Sequence, residues 1–144
     1  MLFCDTSALV KLYVRETGSD ELKALAQAAG TIAVCRIAWA EAHAALARRV
    51  RIVPADADAI RLARRALAQD WPHYLIIEVT QPLVELAADH ADTFALRAYD
   101  SVQLAAAHRL AGETGEQIAF ACFDARLNKA AGVLGLQTPF AETV

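Results

Sequence analysis

Three aspartates stand at places where a carboxylate either caps a helix or belongs to a functional site. Asp5 and Asp124 each end a predicted strand and precede a predicted helix, and Asp100 opens an Ala-rich helix with Gln103 three residues on. Aspartate is a favoured N-cap residue, so each could simply be a cap. Taken together they indicate more, because the functional crevice of an open α/β sheet lies beyond the carboxyl ends of its strands. We expect the three side chains to share one crevice.

Glu41 is an acid that helix capping does not explain. It lies inside the predicted helix Ile37–Arg51. Its helical neighbours form a small apolar stripe, which we expect to face the core: Ile37, Ala38, Ala44 and Ala45. A lone carboxylate there would cost several kcal/mol unless it is paired or neutralised. A metal ion shared with the other acids would compensate it, and a salt bridge to an arginine is the alternative.

Clustered carboxylates without soft ligands are typical of Mg²⁺ or Mn²⁺ sites. Such an ion orients a phosphodiester, polarises its oxygens and activates water for in-line attack. Without the ion the like charges repel, so we expect some of these carboxyl groups to bind protons. Ser7, two residues after Asp5, could hold a metal-bound water or could cap the first helix.

The arginines are clustered although the net charge of the chain is −3. Arg48, Arg49 and Arg51 end the helix that carries Glu41 and could therefore approach the crevice. A local basic patch can hold a phosphate backbone on an otherwise acidic protein. A solvated helix face is the alternative.

Strand-like and helix-like segments alternate along the chain. Continuous apolar strands between helices predict an α/β fold, with a central parallel sheet flanked by helices on both faces. The predicted strands are Leu2–Asp5, Thr31–Arg36 and Ile118–Phe123, with Tyr74–Val79 as a strand or a connection and Gln137–Pro139 as a short last strand. The predicted helices are Thr6–Arg15, one with Ser19 as N-cap, Ile37–Arg51, one from Pro54 to about Asp70, Gln81–Leu96, Tyr99–Gly112 and Asp124–Gly135.

The 144 residues contain no repeat or linker, so we expect one domain over residues 1–144. No apolar run approaches the roughly 18 residues of a membrane span, and the N-terminus has no basic segment typical of a signal peptide. We expect a cytoplasmic protein without a membrane segment. The cysteines Cys4, Cys35 and Cys122 lie in apolar runs, which favours buried, reduced thiols.

Four motifs follow one another in a familiar order. They are Phe3–Tyr13 (FCDTSALVKLY), Ala40-Glu41 after the second strand, Leu96–Ala105 (LRAYDSVQLA), and Phe123–Leu127 (FDARL) followed by Ala130-Ala131 and Gly135-Leu136. Together they span nearly the whole chain, and they resemble the PIN-domain family and, within it, the VapC-type toxins of bacterial toxin–antitoxin pairs.

The resemblance implies a Rossmann-like fold and a divalent-metal-dependent ribonuclease. It implies that Asp5, Glu41, Asp100 and Asp124 are the catalytic and metal-binding residues. It also implies an RNA substrate, a homodimer and a small inhibitory antitoxin. Two positions depart from many relatives, which carry histidine at Gln103 and threonine or serine at Cys122. Neither change removes an expected metal ligand.

Two other classes of function remain as alternatives. A phosphatase of the aspartyl-phosphate kind would start from Asp5 but usually needs a second acid where Ser7 stands. A receiver-like Mg²⁺-binding domain needs paired early acids and a lysine after the last core strand, where this chain has Asp124. A catalytically inactive PIN-fold interaction module is the non-enzyme alternative, and the presence of all four acids argues against it.

Overall fold

Four short parallel strands form the centre of the computed structural model, which describes residues 1–143. They are β1 (Leu2–Cys4), β2 (Ile32–Cys35), β3 (Leu75–Ile77) and β4 (Ala119–Ala121). Their order in the sheet is β3-β2-β1-β4, and every neighbouring pair is parallel. All four strands therefore end at the same edge, as the predicted parallel sheet requires.

An α-helix follows every strand, and residues 1–143 contain seven α-helices. They are α1 (Thr6–Tyr13), α2 (Ser19–Ala28), α3 (Ala38–Ile52), α4 (Ala57–Asp70), α5 (Gln81–Phe94), α6 (Ala98–Thr114) and α7 (Ala125–Val133). None of these described helices is both long and apolar enough to span a membrane.

Buried side chains alternate between the two faces of the sheet, as the pleat of a strand dictates. Phe3 and Phe120 stack at 5.8 Å on the face covered by α5, α6 and α7. Cys4 and Ala121 point to the opposite face, toward α1 and α2. The predicted α/β architecture with helices on both faces is confirmed, and the three cysteines are free and buried as expected.

Two predicted features of the secondary structure were wrong. The segment Gln137–Pro139 is not a strand, because Gln137 makes only an isolated bridge to Ala119. Ser19 is not the N-cap of α2: Gly18 occupies that position with φ +89°, a left-handed conformation that glycine adopts without a steric penalty. The Ser19 hydroxyl instead accepts a hydrogen bond from the Glu16 amide at 2.9 Å.

Candidate active site

Asp5 lies at the carboxyl end of the central strand β1. Its side chain caps α1 by accepting from the Ala8 amide at 2.9 Å, and it also accepts from the Ser7 hydroxyl at 2.7 Å. Only 5% of the residue is exposed. Burial raises its pKa to about 6, against hydrogen bonds from Ser7, Ala8 and Cys122 that lower it, and the charge of Asp100 raises it further. Asp5 is thus the N-cap of α1 and also a buried carboxyl group whose charge no nearby cation in residues 1–143 compensates.

Ser7 connects two strand ends rather than capping a helix. Its hydroxyl donates to Asp5 and accepts from the Phe123 amide at 3.0 Å, just after β4. The alternative that Ser7 caps the first helix was wrong, because Asp5 occupies the N-cap position of α1. Ser7 therefore fixes the orientation of the Asp5 carboxyl group, and its role toward a metal-bound water stays a prediction.

Asp124 follows β4 and caps α7. Its Oδ1 accepts from the Leu127 amide at 2.8 Å, and its own amide donates to Cys122 Sγ at 3.3 Å. Burial raises the pKa of the Cys122 thiol, so the thiol stays protonated beside the two acids. Cys122 therefore makes hydrogen bonds with both Asp5 and Asp124.

Asp100 does not cap α6, and the expectation that it opens this helix was wrong. The helix begins at Ala98 with Arg97 as N-cap, which places Asp100 in the first turn. Its Oδ2 accepts from Arg97 Nε at 3.3 Å. The helix begins two residues before Asp100, at Ala98, so the Asp100 carboxylate does not serve as its cap. The carboxylate is partly exposed to solvent.

Glu41 lies in the first turn of α3, at the margin of the core. The predicted apolar stripe is correct for Ile37 and Ala38, which face the core, and wrong for Ala44 and Ala45, which are exposed. The buried side of α3 is formed by Ala38, Ala42 and Leu46. Glu41 Oε1 accepts from Thr6 Oγ1 and from Gln103 Nε2, both at 2.9 Å. Neutral donors therefore hold Glu41, and no salt bridge to an arginine appears in residues 1–143.

Two adjoining clefts lie at this edge of the sheet. The first, of about 440 Å³, is lined by Leu96, Arg97, Asp100, Asp124, Ala125 and Arg126. The second, of about 320 Å³, is lined by Glu41, Arg97, Ala98, Tyr99 and Asp100. Arg97 and Asp100 border both clefts. Asp5 is not among the lining residues, and it acts from its buried position next to Asp100.

The chemistry of this donor set fits a hard divalent cation. Its charged groups are carboxylates, and the buried Gln103 Oε1 has no hydrogen-bond partner in residues 1–143. The pKa of Asp5 is raised mainly by burial and to a smaller extent by the charge of Asp100, and a bound cation would offset both effects. In the same residues, no three His, Cys, Asp or Glu side chains already surround one point suitable for a metal ion. Each acid is held by hydrogen bonds from the protein instead.

The arginines at the end of α3 do not reach these clefts. Arg48 and Arg49 line a separate groove with Val10, Val14 and Ile52. Arg49 is paired with Glu16 and Asp56. The rise of an α-helix places Arg49 roughly 12 Å along the axis from Glu41. The expected approach of this cluster to the crevice is therefore not seen, and RNA contact by Arg48, Arg49 and Arg51 stays a prediction.

The family model of the PIN domain matches residues 2–133. The chain belongs to the PIN-domain family. Among curated relatives, the Mycobacterium tuberculosis proteins named ribonuclease VapC45 and ribonuclease VapC49 are each 32% identical to it over 135 residues. These alignments cover 94% of this chain and 92% of each relative. Ribonuclease VapC46 of the same species is also 32% identical, with 93% of its length covered.

Motif residues to which the sequence analysis gave no role at the site also lie around these acids. Thr6 and Gln103 bind Glu41, although they are 97 positions apart in the chain. Arg97, Tyr99 and Arg126 line the clefts. The sequence could have pointed to these last three residues, because each lies within three positions of Asp100 or Asp124.

Proposed function

We propose that this PIN domain is a divalent-metal-dependent endoribonuclease that hydrolyses RNA phosphodiester bonds as the toxin of a VapBC-type toxin–antitoxin pair. The observation that carries the proposal is the position of Asp100, which borders both the cleft of Asp124 and the cleft of Glu41, beside buried Asp5. The relatives named ribonuclease VapC, aligned over nearly their whole length, support the same reaction. Its cellular RNA substrate would place the protein in the cytoplasm.

Asp5, Glu41, Asp100 and Asp124 would hold Mg²⁺ or Mn²⁺. When bound, such an ion supplies a Lewis acid at the phosphodiester and an activated water. The protein's own contribution is orientation: Ser7 fixes Asp5, while Thr6 and Gln103 fix Glu41. The first turn of α6 also presents the positive end of its dipole to the clefts, which favours a phosphate.

Asp100→Asn is the variant that tests the reaction. It removes a negative charge with little change of shape, and Asp100 is not needed as a helix cap. We expect a loss of Mg²⁺- or Mn²⁺-dependent RNA cleavage greater than the roughly 10- to 100-fold typical of groups that only support a metal ligand. Mn²⁺ affinity, measured by electron paramagnetic resonance, should fall in parallel.

Asp92→Asn on the exposed side of α5 is the matched control and should leave both cleavage and Mn²⁺ affinity unchanged. Circular dichroism should give the same spectrum for both variants and the parent. Full cleavage by Asp100→Asn in nuclease-free preparations would contradict the proposal. Wild-type protein that binds Mn²⁺ no better than Asp100→Asn would instead favour an inactive interaction module.

The aspartyl-phosphate alternative loses support at Asp5. A nucleophile must be reachable by its substrate, whereas Asp5 is buried and its Oδ1 already accepts two hydrogen bonds. The residue two positions on, Ser7, is occupied in linking Asp5 to Phe123.

We further propose a homodimer and a small antitoxin partner that covers the clefts. An inserted arginine from the partner would pair with the carboxylates through its planar fork. The groove between α1 and α3, which is largely apolar, would suit the apolar side of an amphipathic segment. Its apolar lining residues are Val10, Val14, Ala45, Leu46 and Ile52.

A further inference from the structure

Tyr99 is exposed beside the carboxylates without a structural reason for its position. It lies in the first turn of α6, next to Asp100, and 64% of it is exposed. Its ring stacks on no other aromatic ring in residues 1–143. It nevertheless lines the cleft that contains Glu41. An aromatic face beside a phosphodiester site is suited to stacking on a nucleobase.

Two arginines border the same clefts, and each makes only one polar contact within residues 1–143. The side chain of Arg97 is 86% exposed, and its one described ion pair is with Asp100 at 3.3 Å. Arg126 is exposed and donates to the Ala95 carbonyl at 3.4 Å, a long and weak hydrogen bond. By contrast Arg49 is held by two carboxylates. The guanidinium groups of Arg97 and Arg126 are therefore available to an anionic ligand.

These residues are distributed over both clefts, so a strand that crosses Asp100 can contact them in each cleft. Tyr99 and Glu41 lie on one side, Arg97 and Asp100 border both clefts, and Asp124 and Arg126 lie on the other. Phosphates are repelled by a carboxylate cluster, so a strand crossing it needs cationic contacts on both sides.

We propose that Tyr99 stacks on a base of the bound RNA, that Arg97 binds the phosphate beside Asp100 where the two clefts meet, and that Arg126 binds a phosphate in the cleft of Asp124. This inference rests on the proposed ribonuclease function and adds the residues that hold and position its substrate. A base can lie on Tyr99 only when it is free of a helical stack, so the contact selects an unpaired nucleotide next to the cleaved bond.

Binding of a labelled, unstructured oligoribonucleotide of mixed sequence tests the role of Tyr99. Fluorescence anisotropy in the Asp5→Asn background, with Mg²⁺ present, measures binding without cleavage. We expect Tyr99→Ala to raise Kd about 10-fold, and Tyr99→Phe, which keeps the aromatic face, to bind within about 2-fold of the parent. Leu62→Ala, an exposed apolar side chain on α4, is the control and should change nothing.

The salt dependence of the same binding tests the arginines. Neutralising one phosphate contact to a single strand should reduce the slope of log Kd against log salt by about 0.7. We expect this reduction for Arg97→Ala and for Arg126→Ala, and recovery for Arg97→Lys. Arg15→Ala, which removes a charge that is 82% exposed beyond the opposite end of α1, should leave the slope unchanged.

Two outcomes would overturn the inference. One is unchanged affinity in Tyr99→Ala together with unchanged slopes in both arginine variants. The other is a slope that falls only in a double variant of Arg48 and Arg51, which would move the RNA path to the end of α3. Either result leaves the ribonuclease assignment standing if Asp100→Asn has lost cleavage. Full cleavage by Asp100→Asn would instead remove the proposed function, whatever Tyr99 does.

Discussion

Asp5 illustrates how a single carboxyl group can act against the stability of the fold that positions it. Its pKa is raised from 3.8 to about 6, chiefly by burial, so ionising it opposes folding. This penalty is absent below pH 3.8 and complete above about pH 6. One pKa unit corresponds to about 1.4 kcal/mol, so the penalty is on the order of 3 kcal/mol.

We therefore expect Asp5→Asn to raise the free energy of unfolding of the metal-free protein at pH 8, by up to about 3 kcal/mol. Near pH 4 the variant and the parent should differ little, because the wild-type carboxyl group is then mostly protonated. Urea denaturation in EDTA at both pH values measures this difference, with Asp92→Asn as control. Equal stability of Asp5→Asn and wild type at pH 8 would show that burial does not raise the pKa of this carboxyl group.

At the scale of elements, the sequence located strands and helices better than it located their ends. Apolar runs and helical periodicity are strong signals, and they placed β1, β2 and β4 correctly. Helix starts depend on single residues, and α6 begins at Ala98 behind Arg97, which offers no side-chain cap. The aspartate two positions later carried the expected capping signal and was mistaken for the helix start.

The start of α2 provides a prediction at this scale. Gly18 has φ +89°, and a Cβ added there would lie 2.6 Å from Cε1 of Phe123, the residue that precedes Asp124. Gly18→Ala should thus lower the free energy of unfolding through two effects, a strained backbone and displacement of the Phe123 ring. Strain alone is worth roughly 1–3 kcal/mol.

Gly30→Ala is the matched control for that prediction. Gly30 also has a positive φ, +72°, but a Cβ added there meets nothing within 4 Å. It should lose only the strain contribution, and it should keep full RNA cleavage. Gly18→Ala should be the less stable of the two in urea and should also cleave more slowly, because Phe123 adjoins Asp124. Equal losses in both variants would mean that the Phe123 contact contributes nothing.

At the scale of the whole molecule, motif order selected the four acids of the proposed site, but their exact contacts could not be predicted. The hydrogen bond between Gln103 and Thr6 joins residues 97 positions apart, and no local pattern encodes it. The same holds for the division of the site into two clefts, which depends on how α3, α6 and α7 meet above the sheet edge. Motif residues to which the sequence assigned no role, such as Tyr99 and Arg126, are placed at the site only by the structure.

The proposed toxin activity gives the prediction for the molecule in its cell. Expression of the chain alone should arrest growth, because the clefts beside Asp100 are open to RNA. Expression together with the small antitoxin that we propose is encoded beside it should restore colony formation. The Asp100→Asn chain expressed alone should be harmless, which separates nuclease toxicity from misfolding. A wild-type chain that is harmless alone, yet cleaves RNA in vitro, would leave the nuclease assignment and remove the toxin assignment.

The position of β1 between β2 and β4 also makes the surroundings of Asp5 depend on two distant parts of the chain. Asp5 is made long before the strand that completes its surroundings, Ala119–Ala121. Until that strand and Asp124 have left the ribosome, the Asp5 amide has no Ala121 carbonyl to bind and Ser7 has no Phe123 amide. A growing chain that has not yet made this strand therefore lacks the hydrogen bonds that orient the Asp5 carboxyl group, and under the proposed function we expect it to be inactive toward RNA.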